Sequence, residues 1–368
     1  MTDFSDKALL PAGFSDVLAP DADFEASVLN RLLRCFSGHG YDRVEPPLIE
    51  FEDGLLTGIG AGLAEQTFRL MDPESQRLMA VRADITPQVA RIAQARLAKA
   101  PRPLRLSYAG QVLRVRGSQL RPERQFTQVG AELIGAAGPA ADAEVIAMAA
   151  GALIELGVAE LSCDLGLPAL VPAVSGDADP SLQAKLRQAL DRKDAAAVAG
   201  LGGELGEALT QTLAAMLSAA GPAAKTLDAL GGLGLKSDAE DGCKLLADVV
   251  DRVRAARPDL KLTIDPVENR GFEYHTGVTF TFFAKGVRGE LGSGGRYAAN
   301  GYDANGGEPA TGFTLFMDTV LRALPVPVTA SRVFLPAGTP AEEAAKLRAE
   351  GWIAVAGLDQ GADAETEA

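Results

Sequence analysis

Apolar residues recur at helical spacing early in the chain. Val28, Leu29, Leu32, Leu33 and Phe36 form one stripe, and Gly38 and Gly40 close it. This predicts a helix over 22–37. The preceding residues 1–20 are acidic and punctuated by Pro11, Gly13 and Pro20, and read as an arm. After Gly40 the pattern changes. YDRVEPPLIEF reads as extended chain broken by Pro46 and Pro47, and residues 68–71 and 78–81 read as strands around an acidic turn. VRADITPQVARIAQARLAKA then returns to helical spacing through Ile85, Val89, Ile92, Ala93 and Leu97. Thr86 is the expected N-cap and Pro87 the expected first helical residue. Asp84 stands just before this helix, where local capping and a ligand carboxylate are both open readings. A third helix is predicted over 140–157.

Residues 104–135, LRLSYAGQVLRVRGSQLRPERQFTQVGAELIG, carry the most information. They read as two extended segments joined by a basic loop. The two-residue period of a strand puts Arg124, Phe126, Gln128, Gly130 and Glu132 on one face. Gln128 and Glu132 lie about 13 Å apart along the backbone. Gly130 between them offers no side chain to fill the gap. A carboxylate, an amide and the nearby Arg114 and Arg116 would suit a small zwitterion. A solvated sheet face with scattered charges is the plain alternative.

Composition shifts over 171–245, which is rich in Ala, Gly, Leu and Asp. Three or four short helices are expected there, around 181–191, 204–219, 223–230 and 237–256, with the glycines as stops. Residues 261–297 return to strands: Val278, Phe280 and Phe282 alternate with Thr279, Thr281 and Phe283, and Lys285-Gly286 is a turn candidate. GSGGRY at 292–297 is neither a Walker motif nor a dinucleotide fingerprint, and reads as a tight turn or a close backbone approach. A strand running into a helix is expected over ATGFTLFMDTVLRAL, and a strand–helix–strand unit over 331–358. These elements predict an α+β fold. A core over 1–170 and 246–325 would hold a helical insert at 171–245, followed by a small unit at 326–358 and a disordered tail at 359–368.

The bulk numbers narrow the function. At 47% hydrophobic, 368 residues can bury a substantial core. A net charge of −14 argues against nonspecific nucleic-acid or membrane binding, although Arg105, Arg114, Arg116, Arg121 and Arg124 form a local basic patch. Three scattered cysteines fit a reducing compartment, and two histidines leave little for a zinc site. No secretory signal or membrane span is visible, so a cytoplasmic protein is expected.

Five ordered motifs carry a resemblance: RADIT (82–86), YAGQVLR (108–114), RQFTQVGAELIG (124–135), NRGFEYHTG (269–277) and GSGGRY (292–297). Their order resembles that of the histidyl-tRNA synthetases over roughly residues 8–322. The resemblance implies a class II aminoacyl-tRNA synthetase-like antiparallel sheet flanked by helices. It implies histidine-binding roles for Asp84, Thr86, Gln128 and Glu132, a carboxylate or phosphate contact at Arg114, and an activating arginine at Arg270. Tyr274 and His275 match a tyrosine pair lining the imidazole pocket, so His275 is a departure.

Other departures remove the ATP chemistry. Arg114-Val115-Arg116 stands where the synthetases have Arg-His-Glu, and Phe316-Met317-Asp318-Thr319 where they have Gly-Leu-Glu-Arg. Thr319 has neither the charge nor the reach to clamp a phosphate. Phe316 would crowd the adenine slot. The C-terminal stretch is too short for a full anticodon-binding domain. The chain therefore resembles the regulatory-subunit family of ATP phosphoribosyltransferase, synthetase paralogues without aminoacylation activity. This implies a short-form catalytic partner, L-histidine as feedback effector, a dimer within a hetero-octamer, and no catalytic residue, metal or cofactor of its own. A synthetase-like amino-acid sensor or RNA-binding module without that partner is the alternative.

Overall fold

The computed structural model describes residues 9–118, 121–176, 179–268, 274–299, 307–325 and 331–358. They cluster into two compact units, one within 1–17 and 25–324, the other within 18–24 and 325–368. The strands in chain order are β1 (Asp42–Arg43), β2 (Ile49–Phe51), β3 (Arg69–Met71), β4 (Leu78–Val81), β5 (Leu104–Leu113), β6 (Gln125–Ile134) and β7 (Leu161–Gly166). They continue as β8 (Gly221–Pro222), β9 (Lys261–Asp265), β10 (His275–Ala284), β11 (Gly292–Ala299), β12 (Glu308–Phe316), β13 (Arg332–Leu335) and β14 (Ile353–Ala356).

The larger unit is built on a nine-stranded sheet in the order β1-β5-β6-β12-β11-β10-β7-β9-β8. Its pairs are antiparallel except β1–β5 and β7–β9. β2, β4 and β3 make a separate small sheet. Helix α1 (Asp21–Gly38) buries Val28, Leu32 and Phe36, the expected stripe. α2 (Glu52–Leu55) is a single turn. Ile85, just before α3 (Thr86–Ala95), and Val89 and Ala93 within it enter a core with Tyr108, Val112, Phe126 and Tyr297. α4 (Pro139–Leu156) is almost wholly buried and ends at Gly157, whose φ of 104° caps the last turn in the left-handed region.

Two local expectations change. Thr86 is the first helical residue rather than the N-cap; the Asp84 carboxylate accepts its backbone N–H at 2.9 Å. That frees the threonine hydroxyl for the interior. Residues 292–297 form no turn but lie in β11, between β10 and β12. The close-approach reading holds, because a Cβ on Gly294 would overlap the Gly312 carbonyl oxygen.

The alanine-rich stretch is more broken than expected. It contains α5 (Leu170–Ser175), α6 (Pro180–Asp191), α7 (Ala195–Gly200), α8 (Gly202–Leu205), α9 (Glu207–Ser218), α10 (Ala223–Gly231) and α11 (Asp238–Ala256). It also lends β8 to the sheet edge, pairing Gly221 with Ile264. The long α11 packs on α4. α12 (Met317–Ala323) follows β12 directly. In the smaller unit, parallel β13 and β14 flank α13 (Ala341–Ala349). Among the described residues, no helix is long and apolar enough to cross a membrane.

Candidate functional site

β6 is buried on both faces, so Gln128 and Glu132 lie inside the protein at 0% and 1% exposure rather than on a solvated surface. A buried amide and carboxyl must find partners. Gln128 spans two: its Oε1 accepts the Ile85 N–H at 3.0 Å, and its Nε2 donates to Asp84 Oδ2 at 2.8 Å. The strand thereby fixes both the entry of α3 and the Asp84 carboxylate. Thr86 donates to Glu132 Oε1 at 3.0 Å, and Tyr297 donates to Oε2 at 2.8 Å. Burial pushes the Glu132 carboxyl up to about 8, although these hydroxyl donors pull it back toward the ionised form.

Around these groups lies a small pocket of about 60 Å³, lined by Asp84, Thr86, Glu132, Tyr274, His275 and Tyr297. Gly294, Gly295 and Gly312 form its low wall. A Cβ on Gly312 would overlap the Glu132 carboxyl, so glycine is required for that rotamer. The rings of Tyr274 and His275 lie 4.0 Å apart, tilted by 34°. Asp84, Thr86, Glu132, Tyr274 and His275 thus converge on one pocket. Gln128 stands behind it as a brace. Arg114 is not a lining residue; its guanidinium lies 5.1 Å over the Phe126 ring, and its Nε has no hydrogen-bond partner. Desolvation lowers its pKa, against the favourable field of Asp84. Arg270 lies outside the described residues.

The gap expected over Gly130 is not empty. Gly130 pairs with Tyr108 across β5 and β6, and a Cβ there would strike the Tyr108 hydroxyl. That hydroxyl lies 2.7 Å from Thr314 Oγ1 and 3.4 Å from Glu132 Oε1. Sequence reasoning missed Tyr108 and Tyr297 as site groups. A glycine opposite an aromatic in antiparallel register is the signal for the first, and the end of GSGGRY for the second.

The far end of the pocket is closed. Phe316 lines it, and the Arg121 guanidinium lies 3.9 Å over that ring while donating to Asp318 Oδ2 at 3.1 Å. Both side chains are nearly buried, at 11% and 10% exposure. Thr319 is buried and accepts from Arg322. Apart from the exposed Arg116, the basic patch is drawn into contacts within the fold. Arg105 pairs with Glu144, and Arg124 stacks on Phe14 and Phe68. Among the described residues, no group of three or more His, Cys, Asp or Glu is placed to hold a metal ion.

The family model described as histidyl-tRNA synthetase matches residues 13–320. A relative from Paramagnetospirillum magneticum, named ATP phosphoribosyltransferase regulatory subunit, is 57% identical over 100% of this chain and 95% of its own length. One of the same name from Rhodospirillum centenum is 57% identical over 98% of this chain and 92% of its own. The chain belongs to the ATP phosphoribosyltransferase regulatory subunit family. The solved structures agree with a synthetase-like fold for this chain. A Bacillus halodurans protein titled as ATP phosphoribosyltransferase regulatory subunit/histidyl-tRNA synthetase superposes with a TM-score of 0.84 at 25% identity, covering 97% of this chain and 95% of that one. Histidyl-tRNA synthetase from Nostoc superposes with a TM-score of 0.79 at 19% identity, over 97% and 88%, which speaks to the fold. The α+β class and the class II synthetase-like sheet expected from the sequence are both present.

Proposed function

We propose that this chain is the non-catalytic regulatory subunit of an ATP phosphoribosyltransferase. It activates a short catalytic subunit and carries feedback inhibition by L-histidine in the first step of histidine biosynthesis. The reading includes a cytoplasmic dimer within a hetero-octamer. It also keeps the division into a core at 1–170 and 246–325, an insert at 171–245, a small unit at 326–358 and a tail at 359–368.

One contrast carries the proposal. The amino-acid half of the site is open and holds two braced carboxyl groups, whereas the neighbouring corner is filled by Arg121 against Phe316 and Asp318. Asp84 meets the ammonium of histidine, Glu132 and Tyr274 meet the imidazole end with His275, and Thr86 and Gln128 hold the acids in place. Arg114 meets the ligand carboxylate, and the resemblance gives Arg270 an electrostatic share in closing the site. Nothing at Thr319 can clamp a triphosphate, so the bound amino acid is sensed rather than activated. Feedback follows if the pocket binds histidine more tightly in one arrangement of the complex than in another.

The test is formation of phosphoribosyl-ATP by a short catalytic phosphoribosyltransferase with and without this chain, followed by histidine titration. Activity only in the mixture, falling with histidine, is expected. Activity independent of this chain would turn the reading toward an amino-acid sensor without that partner.

A further inference from the structure

The Glu132 carboxyl is enclosed from four sides. Thr86 at the start of α3 holds Oε1, Tyr108 on β5 lies beside it, Gly312 on β12 closes over Oε2, and Tyr297 on β11 donates to Oε2. Tyr297 is 2% exposed, and its ring faces Tyr274 edge-on with centroids 6.4 Å apart. The other titratable groups facing this carboxyl are Asp84 before α3 and Tyr274 and His275 at the start of β10. No lysine or arginine among the described residues pairs with it.

A carboxyl so placed has two states with different chemistry. As the acid it carries its own proton and offers one donor. As the carboxylate it accepts an N–H from a ligand. Desolvation favours the acid in the empty pocket at neutral pH, while the donors from Tyr297 and Thr86 favour the carboxylate. Tyr297 is the donor on Oε2, the oxygen that Gly312 packs against. Removing its hydroxyl leaves the ring and the cavity shape intact but takes away one of the groups that stabilises the ionised form.

We propose that Tyr297 is a positioning residue: its hydroxyl aims the Glu132 carboxylate at an N–H group of the ligand, so that binding expels one proton from Glu132 to solvent. The inference rests on the reading of this pocket as an amino-acid site and deepens it. It gives Tyr297 a role at this oxygen and makes occupancy proton-linked. The balance is simple. The acid loses its proton, the ligand N–H takes the vacated position as donor, and no covalent bond of the ligand changes.

The experiment is calorimetric titration of L-histidine into the full-length chain from pH 6 to 9, in two buffers of different ionisation heat, for the native protein, Tyr297→Phe and Glu132→Gln. The ligand's own ionisation is common to all three, so the differences are diagnostic. The native protein should release up to one proton per site near pH 7. Tyr297→Phe should bind about tenfold more weakly there, with its pH midpoint moved upward, because a donor to the carboxylate is gone. Glu132→Gln should abolish the protein's share of proton release. A Tyr297→Phe defect equal at every pH, or proton release unchanged from Glu132→Gln, would overturn the inference. If the native protein fails to bind histidine, the amino-acid reading itself fails. Melting curves of the empty protein against pH then decide the positioning: native and Tyr297→Phe curves should diverge between pH 7 and 9, and coincidence would refute it.

Discussion

The Glu132 pocket and the Arg121 corner share Phe316 as a boundary, yet they treat buried charge in opposite ways. In the pocket the carboxyls of Asp84 and Glu132 are held by an amide and by hydroxyls, groups that fix geometry without cancelling charge. At the corner the Asp318 carboxylate meets, through Oδ2, a guanidinium that also covers an aromatic ring, while Oδ1 stays buried without a hydrogen-bond partner. The first arrangement faces an open pocket; the second lies behind a stacked ring and guanidinium. The pocket stays open where the internal partners are neutral, and the corner is filled where the partner is a cation that also stacks.

Several experiments would break or sharpen that contrast. The largest effect should come from Glu132→Gln, which keeps the volume and removes the charge. Histidine affinity should fall on the order of 100-fold, measured by titration calorimetry, with subunit activation retained in the phosphoribosyl-ATP assay. Next is Gly312→Ala. Its Cβ would displace the Glu132 carboxyl, so denaturant unfolding should show a loss of about 1–3 kcal/mol, together with weaker histidine binding. A third test uses pH. Glu132 sits near 8 in the folded protein, above its ordinary 4.5. Between those values the folded state binds a proton that the unfolded state does not. Its contribution to stability is therefore full below about 4.5 and lost as pH rises through about 8, at a slope of at most about 1.4 kcal/mol per pH unit. Glu132→Gln should remove that slope in melting curves. The smallest effect is expected for Arg121→Ala at the closed corner: a loss of about 1–2 kcal/mol from the stacking and the ion pair. ATP binding should be absent before and after, since Thr319 remains. ATP binding gained by that single change would show the corner to be a plug over an intact nucleotide site.

Much of the site was legible because strands alternate. The two-residue period placed Gln128 and Glu132 on one side of β6, and Asp84 emerged from its place before a helix. The surrounding hydroxyls were not legible, because Tyr108 and Tyr297 come from strands whose register with β6 and β12 is a tertiary property. Thr86 was misplaced by one position for a related reason. Threonine before proline is a good cap, but Asp84 takes the capping role and releases the hydroxyl inward. The fold class was readable from ordered motifs. The helix breaks at Ala195–Gly200 and Gly202–Leu205 were not, since alanine and glycine there give little hydrophobic periodicity to follow.

The residue beside Tyr297 adds a mechanical side to the pocket. Neighbouring side chains of a strand point to opposite faces. Arg296 turns away from the pocket and is clamped at the start of α4, donating to Asp142 Oδ2 at 3.1 Å and to the carbonyls of Ala136 and Gly138 at 3.1 and 2.7 Å. The pair is almost fully enclosed, at 10% and 1% exposure, and so is costly to part. β11 is thus tied to the pocket wall at one side and to the root of α4 at the other, and α4 in turn carries the long α11 packed against it.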